Sequence, residues 1–212
     1  MNDKFFNVKT DKQERVINAA MKVFAMNGYR KASTDLIVKE ADISKGLLFH
    51  YFDNKITLYG FLIEYAIRLL SFEMNTSVDK NERDFFEIIN QMERAKFGIT
   101  RHYPYLIRFL TSLKFETDKQ AVVAIGDNAT AFDDICNSMY KNADNTKFQD
   151  YVVIRRVVKM LGWMSDGFLN DNILDTSISA EEMHEEYSKY IKMMKAHFYR
   201  GGLVGVNEED IE

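Results

Sequence analysis

Residues 43–55 read ISKGLLFHYFDNK, a Ser-Lys-Gly turn that runs into four consecutive rings, Phe49, His50, Tyr51 and Phe52. A cluster of this kind serves either as the plug of a small core or as a surface that touches a partner. On a helix turning about 100° per residue, Leu48 and Phe52 share one face. Gly46 and His50 fall roughly opposite, with Lys45 and Phe49 on one flank and Leu47 and Tyr51 on the other. A core needs one stripe, and Leu48 with Phe52 supplies it, with Ile43 in the turn packing against Leu36 and Val23. The remaining rings sit beside a lysine and a central glycine, an unsuitable face for bare solvent unless something covers it.

Working outward, apolar residues upstream recur as Val16, Ile17, Ala20, Val23 and Phe24, the spacing of a half-buried helix from about Asp11 to Asn27. Gly28 stands where a helix end favours a left-handed residue. Thr34 reads as the N-cap of a short helix, TDLIVKEA, with Leu36, Ile37 and Ala41 facing inward, and Ser44 as the cap of KGLLFHYF. Asp53 or Asn54 then caps a longer helix reaching about residue 75. Two helices of about eight residues joined by a turn of about three have the proportions of a helix-turn-helix.

The remainder reads as amphipathic helices over about Arg83–Arg101, Pro104–Phe115, Lys119–Lys141, Gln149–Asn170 and Ala180–Arg200, followed by a frayed tail, GGLVGVNEEDIE. One proline and ten glycines in 212 residues leave helices almost uninterrupted, so the expected class is all-α. A chain of this length buries roughly 70% of its unfolded surface without needing disulfides or metal. The single cysteine, Cys136, excludes an internal disulfide framework and fits a reducing compartment. There is no apolar run of membrane-spanning length, and the charged N-terminal residues do not resemble a signal peptide, so a cytoplasmic protein without membrane contact is expected.

Net charge is −4, but unevenly divided. Residues 1–55 carry ten Lys/Arg against seven Asp/Glu, whereas residues 56–212 carry eighteen against twenty-five. A mildly basic head on an acidic body points to an anionic partner for the N-terminal part alone, although chance fluctuation gives the same figures in a small sample. Double-stranded DNA is such a partner. Gly46 permits close approach, Lys45 and His50 can donate to bases or phosphates, Tyr51 can donate its hydroxyl to phosphate, and Leu47 and Phe49 can rest on thymine methyls or sugars. Thr34 and Lys55 stand at helix N-termini, where backbone N–H groups attract phosphate. The competing reading is a helical plug covered by the protein's own C-terminal part.

Residues 11–63 closely resemble the DNA-binding domain of the tetracycline-repressor (TetR) family of bacterial regulators. The resemblance lies in Ala19-Ala20, Phe24, Gly28-Tyr29, Ser33-Thr34-Asp35, Ile37, Ala41, Ile43-Ser44-Lys45-Gly46, Leu48-Phe49-His50-Tyr51-Phe52, Asn54-Lys55 and Leu58-Tyr59. It covers about a quarter of the chain. With the helical reading it assigns DNA binding to Ser33, Thr34, Ser44, Lys45, Gly46, Leu47, Phe49, His50, Tyr51 and Lys55. Three positions depart from the family pattern: Phe49 replaces a usual Tyr and loses its hydroxyl, Leu47 replaces a commoner Thr, and Asp53 puts negative charge where Lys is frequent.

The resemblance further implies about nine helices. A three-helix helix-turn-helix domain, residues 1–55, would be fused through a fourth helix to an antiparallel helical body, residues 56–212, which binds a ligand and dimerises. The last two long helices would pair with a twofold mate, which requires a partly palindromic operator. Gly162, Gly167, Met183, Tyr187, Tyr190 and Met194 are the interface candidates, unless they face their own protomer. Tyr65, Phe86, Met92, Phe97, Phe109, Phe132, Met160, Trp163, Met164 and Phe168 are the candidate lining for a largely apolar effector, although residues of this type at helical spacing also build ordinary core.

Catalytic chemistry finds no support in the sequence. The histidines are widely separated, none has a Cys or carboxylate at zinc-ligand spacing, and no Gly-rich phosphate loop, serine elbow or CxxC occurs. Neither a metal nor a cofactor is expected. The reading is a ligand-responsive repressor, with a DNA-bound protein-recruiting factor lacking any small-molecule effector as the alternative.

Overall fold

The computed structural model describes residues 3–172 and 177–201, and the expectation of a frayed tail over 202–212 lies outside them. Among the described residues, eleven α-helices run in the order α1 (Asp3–Phe6), α2 (Thr10–Lys31), α3 (Thr34–Ala41), α4 (Lys45–Phe52), α5 (Lys55–Ser77), α6 (Phe85–His102), α7 (Leu106–Ser112), α8 (Lys119–Ile125), α9 (Ala131–Tyr140), α10 (Ile154–Asn172) and α11 (Ala180–Phe198). Short 3-10 turns lie between some of them. The only β pairing among these residues is an isolated antiparallel bridge between Phe148 and Tyr199. The fold is all-α, as expected, with a helix-turn-helix near its N-terminus.

Two compact units are present, one formed by Met1–Glu73 and His102–Ile135, the other by Met74–Arg101 and Cys136–Glu212. In the first unit, α2 lays Val16, Ile17, Ala20, Val23 and Phe24 in the interior. Its regular course ends at Gly28, whose φ of 68° and ψ of 166° lie in a region open essentially only to glycine. Ala32 N–H still reaches the Gly28 carbonyl, which closes the turn into α3. Ser33, rather than Thr34, caps α3 by accepting the Asp35 amide, and Ser44 caps α4 by accepting that of Leu47. Ile37 and Ala41 are fully buried while Leu36 is 40% exposed, because an eight-residue helix has room for one i, i+4 stripe and Leu36 lies about 100° from it.

The short helix α1 was not expected from the sequence. Phe5 is fully buried, and its ring lies 4.9 Å from Phe52, 5.5 Å from Tyr51 and 5.5 Å from Phe61, so the N-terminus wedges under the end of α4 and the side of α5. A second ring group joins Phe24, Tyr29, Tyr59 and Phe109, which seats α7 on α2 and α5.

In the second unit, Asp84 caps α6 by accepting the amides of Phe86 and Glu87, and its other oxygen meets Lys147 and Lys195 at 3.0 and 3.1 Å. Burial opposes ionisation there, but these contacts hold the carboxyl below its ordinary pKa. The helix expected over Lys119–Lys141 is broken, because Gly126 adopts φ 52°, ψ −129° and diverts the chain through a 3-10 turn between α8 and α9. The helix expected from Gln149 begins five residues later at Ile154, since Gln149 is engaged by the α11 end: its amide donates to Phe198 O and its side chain to His197 O. Ser179 and Glu182 form a reciprocal capping box at α11.

Two stability predictions follow from this packing. Gly28→Ala forces a Cβ onto a glycine-only conformation and is expected to lower unfolding free energy by about 1–3 kcal/mol in urea titration. Phe5→Ala removes a fully buried ring and is expected to cost about 3 kcal/mol. A change below about 0.5 kcal/mol, the scale of an ordinary surface substitution, would mean that α1 does not brace α4.

Candidate functional site

The exposed side of α4 is fixed from beneath. Leu48 and Phe52 are buried, each removing from water apolar surface worth about 1.5–3 kcal/mol. That leaves Ser44, Lys45, Gly46 and His50 exposed and Leu47 and Phe49 half-buried. A Cβ built at Gly46 would meet no atom within 4 Å, so none of the described residues covers the middle of this face. Lys45 Nζ lies 2.8 Å from Asp35 Oδ1 on α3; both side chains are largely exposed, so this pair adds little stability and does not bury the ammonium. Ser33 is exposed and Thr34 half-buried at the start of α3. These residues form one contiguous surface at the helix-turn-helix.

Two members of the expected set lie elsewhere. Tyr51 is only 9% exposed, and its ring meets Phe5 edge-on, because the N-terminal wedge occupies the flank that the helical wheel left open. Lys55 does not project its ammonium into open solvent. It donates to the carbonyls of Tyr29 at 2.9 Å and Ala32 at 3.2 Å and lies 4.3 Å from the centroid of the Tyr29 ring. Neither placement was legible from α4 alone, since both partners come from segments distant in sequence.

The residues expected to line a pocket divide between the two units: Tyr65, Phe109 and Phe132 lie in the first and the other seven in the second. Phe109 is a fully buried ring between Phe24 and Tyr59, and Tyr65 shares a 2.6 Å hydrogen bond with Tyr103 beside Phe61. Burial raises the pKa of both phenols, so the pair stays protonated at neutral pH. In the second unit, Phe86 packs with Phe85, Phe148 and Tyr199, whereas Phe97 and Phe168 meet at 5.5 Å and both contact Tyr187. Met92 is buried on α6, and Phe132 and Met164 are half-buried. Trp163 and Met160 are surface residues; Trp163 is 64% exposed, with the Lys159 ammonium 4.9 Å from its ring. The stripe of α10 that turns inward is Val157, Leu161, Ser165 and Leu169, which leaves residues 160 and 163 on the other side.

The interface candidates divide in the same way. Met183, Tyr187 and Met194 are buried within their own unit together with Ile191, because these four make the i, i+4, i+8, i+11 core stripe of α11. Gly162, Gly167 and Tyr190 face outward, and a Cβ at either glycine would meet nothing within 4 Å.

Sequence reasoning missed a buried charged group in the second unit. Lys96 Nζ lies 2.6 Å from Glu93 Oε1 and donates to Ser165 Oγ at 2.7 Å, while Ser165 donates to Glu93 Oε2 at 2.8 Å. All three side chains are buried, beside Phe97 on α6 and Phe168 on α10. Tyr187, nearby, has its pKa raised first by burial and then by the charge of Glu93. The available signal was a Glu and a Lys three residues apart, at positions where the apolar stripe of α6 continues. Among the described residues there is no group of three or more His, Cys, Asp or Glu able to hold a metal ion, and no helix is long and apolar enough to cross a membrane.

Comparison with known proteins agrees with this geometry. Residues 16–60 match the family described as bacterial regulatory proteins, tetR family. The fatty acid metabolism regulator protein of Bacillus subtilis (strain 168) is 29% identical over 98 residues, which is 46% of this chain and 47% of that protein. The HTH-type transcriptional regulator UidR of Escherichia coli (strain K12) is 38% identical over 60 residues, 27% of this chain and 31% of that protein. The matched stretches thus span less than half the length of these relatives. Among solved structures, a TetR family transcriptional regulator from Chloroflexus aurantiacus aligns over 93% of this chain and 98% of its own, with a TM-score of 0.60 at 17% identity. The transcriptional regulator FadR from Bacillus subtilis, in complex with stearoyl-CoA, aligns over 85% and 96%, with a TM-score of 0.57 at 15% identity. At such identities the structures speak for the fold, while the sequence matches speak for the head. The N-terminal part of the chain, residues 16–60, thus carries the signature of the bacterial regulatory proteins of the tetR family, and the all-α fold is similar to that of solved members of that family.

Proposed function

We propose that this chain is a DNA-binding transcriptional regulator that acts as a homodimer in the cytoplasm, represses by occupying a partly palindromic operator, and is released by an effector. Residues 1–55 act as the DNA-binding head and residues 56–212 as the effector-binding and dimerising body. The observation that carries the reading is the capped helix α4, held by Leu48 and Phe52 while Lys45, Gly46 and His50 stay exposed on its other side. Such a helix can enter a major groove with its N-terminal residues against base edges. Leu47 and Phe49 supply apolar contact, and Ser33, Thr34 and Ser44 supply donors at helix starts, where phosphate is favoured. Tyr51 and Lys55 act from behind this surface.

For the dimer, the supporting feature is the outward face of the last two helices. Met160, Trp163 and Gly167 on α10 share a side by their i, i+3, i+7 spacing, and Tyr190 and Met193 are exposed on α11. Large exposed apolar side chains beside bare glycines suit the close approach of a second copy. For the effector, the fatty acid metabolism regulator and the stearoyl-CoA complex make a long-chain acyl thioester the first ligand to try. Within the body, Lys96, Glu93 and Ser165 among the Phe97, Phe168 and Tyr187 rings are the polar groups such a ligand would meet. The alternative, a regulator of the same fold without a small-molecule effector, draws support from the closed packing of Phe86 and Phe97 with neighbouring rings.

Fluorescence anisotropy with labelled duplexes from the gene's own upstream region tests the central claim; equal affinity for those duplexes and random DNA at moderate salt sinks it. Lys45→Ala is expected to weaken binding to all sequences and to reduce the log–log salt slope by about one, whereas His50→Ala shifts base preference at one position of each half-site. Trp163→Glu is expected to convert the dimer to monomer in sedimentation equilibrium and to abolish tight binding to the two-half-site duplex. A dimer that survives this change places the interface elsewhere.

A further inference from the structure

One residue at the start of the helix-turn-helix is gripped through every polar group it has. Gly28 diverts the chain so that the next amide, that of Tyr29, points out of α2 and donates to Glu116 Oε2 at 2.7 Å. The other oxygen of the same carboxylate accepts the amides of Thr117 at 2.8 Å and Asp118 at 2.9 Å. The Tyr29 carbonyl accepts from the Lys55 ammonium, which also reaches Ala32 O and covers the Tyr29 ring. Its hydroxyl donates to Gln120 Oε1 at 3.2 Å. Burial by itself would raise the pKa of Glu116, but the three backbone N–H donors hold it below the ordinary carboxylate value, so it stays ionised in use.

Lys55 and Glu116 come from opposite directions. Lys55 opens α5, directly after the recognition helix, while Glu116 follows α7 and its 3-10 extension, Leu113–Phe115. Helix α7 is itself seated by Phe109 on Phe24 and Tyr59. Glu116 therefore ties the end of α7 to the Tyr29 amide, the first N–H after the glycine kink. We infer that Glu116 is a positioning residue for DNA binding: its carboxylate holds the Gly28–Tyr29 hinge that sets how α3 and α4 are presented. It contributes no phosphate contact, being an anion, so its effect on affinity must be indirect. The inference rests on the DNA-binding reading above.

The test uses the full-length protein, the labelled upstream duplex and two variants. Glu116→Ala removes the acceptor, and Glu116→Gln keeps one carbonyl oxygen for the Tyr29 amide. Losing a charge-assisted hydrogen bond at the hinge is expected to weaken duplex binding by about tenfold in the alanine variant. The log–log salt slope should be unchanged, because no phosphate contact is lost. The glutamine variant should recover most of the affinity. Amide hydrogen exchange, read without DNA, should show Tyr29 exchanging at least about tenfold faster in Glu116→Ala than in the wild type, with Leu48 and Phe52 unaffected. Unchanged affinity, or an affinity loss that glutamine does not recover, overturns the inference. So does equal Tyr29 exchange in the wild type and Glu116→Ala. Failure of the wild type to bind the duplex selectively would instead strike the functional reading, and the exchange experiment would still decide whether Glu116 holds the hinge.

Discussion

Eight-residue helices do not stand alone in water, where stretches shorter than about 12–15 residues are marginal, and α3 and α4 are both of that length. Their existence depends on burying Ile37 and Ala41, and Leu48 and Phe52, against the longer α2 and α5, with Ser33 and Ser44 satisfying amides at their starts. Once the inner stripe is spent on stability, the outer residues stay at the surface. This division lets one short sequence be a plug on one side and an exposed face on the other. It also explains why the rear of α4 needs support. Asp53 ends the helix at a positive φ of 57°, and Phe5 fills the space beside Tyr51 and Phe52 from a separate segment.

The second unit solves a different problem. Its α6 carries Glu93 and Lys96 on the buried side, and they are tolerated because each is paired and Ser165 completes the ring of contacts. A buried ion pair of this kind adds little net stability compared with apolar residues of the same volume, yet leaving either charge unpaired costs several kcal/mol, roughly 3–5. The triad therefore makes the α6–α10 pairing intolerant of sliding. It also places hydrogen-bonding groups within an otherwise apolar interior.

The head was largely legible in sequence because its signals are local. The bounds of α3 and α4 follow from a capping serine and one i, i+4 stripe, and the exposed side of α4, except Tyr51, follows from the helical wheel. Leu36 was misplaced by one step of that wheel, and Thr34 was taken for the cap that its neighbour Ser33 provides. In the body the same method found helices but not partners. Tyr187 and Trp163 are both large aromatic residues on amphipathic helices, yet one is fully buried and the other 64% exposed. A 3.6-residue period identifies stripes, and an aromatic stripe reads the same whether it meets its own chain, a second copy or a ligand.

By itself the sequence determined the all-α class, the helix-turn-helix, and the face of α4 that stays outside the core, since each depends on residues within a few turns of one another. Only the tertiary structure decided that Tyr51 is covered by Phe5, that Lys55 is occupied by the Tyr29 and Ala32 carbonyls, and that Glu116 holds the Tyr29 amide. The separations involved, 46 residues for the first and 87 for the last, exceed any helical period. Side chains with several hydrogen-bonding choices take the partner that folding delivers, and a one-dimensional pattern carries no record of which partner that is.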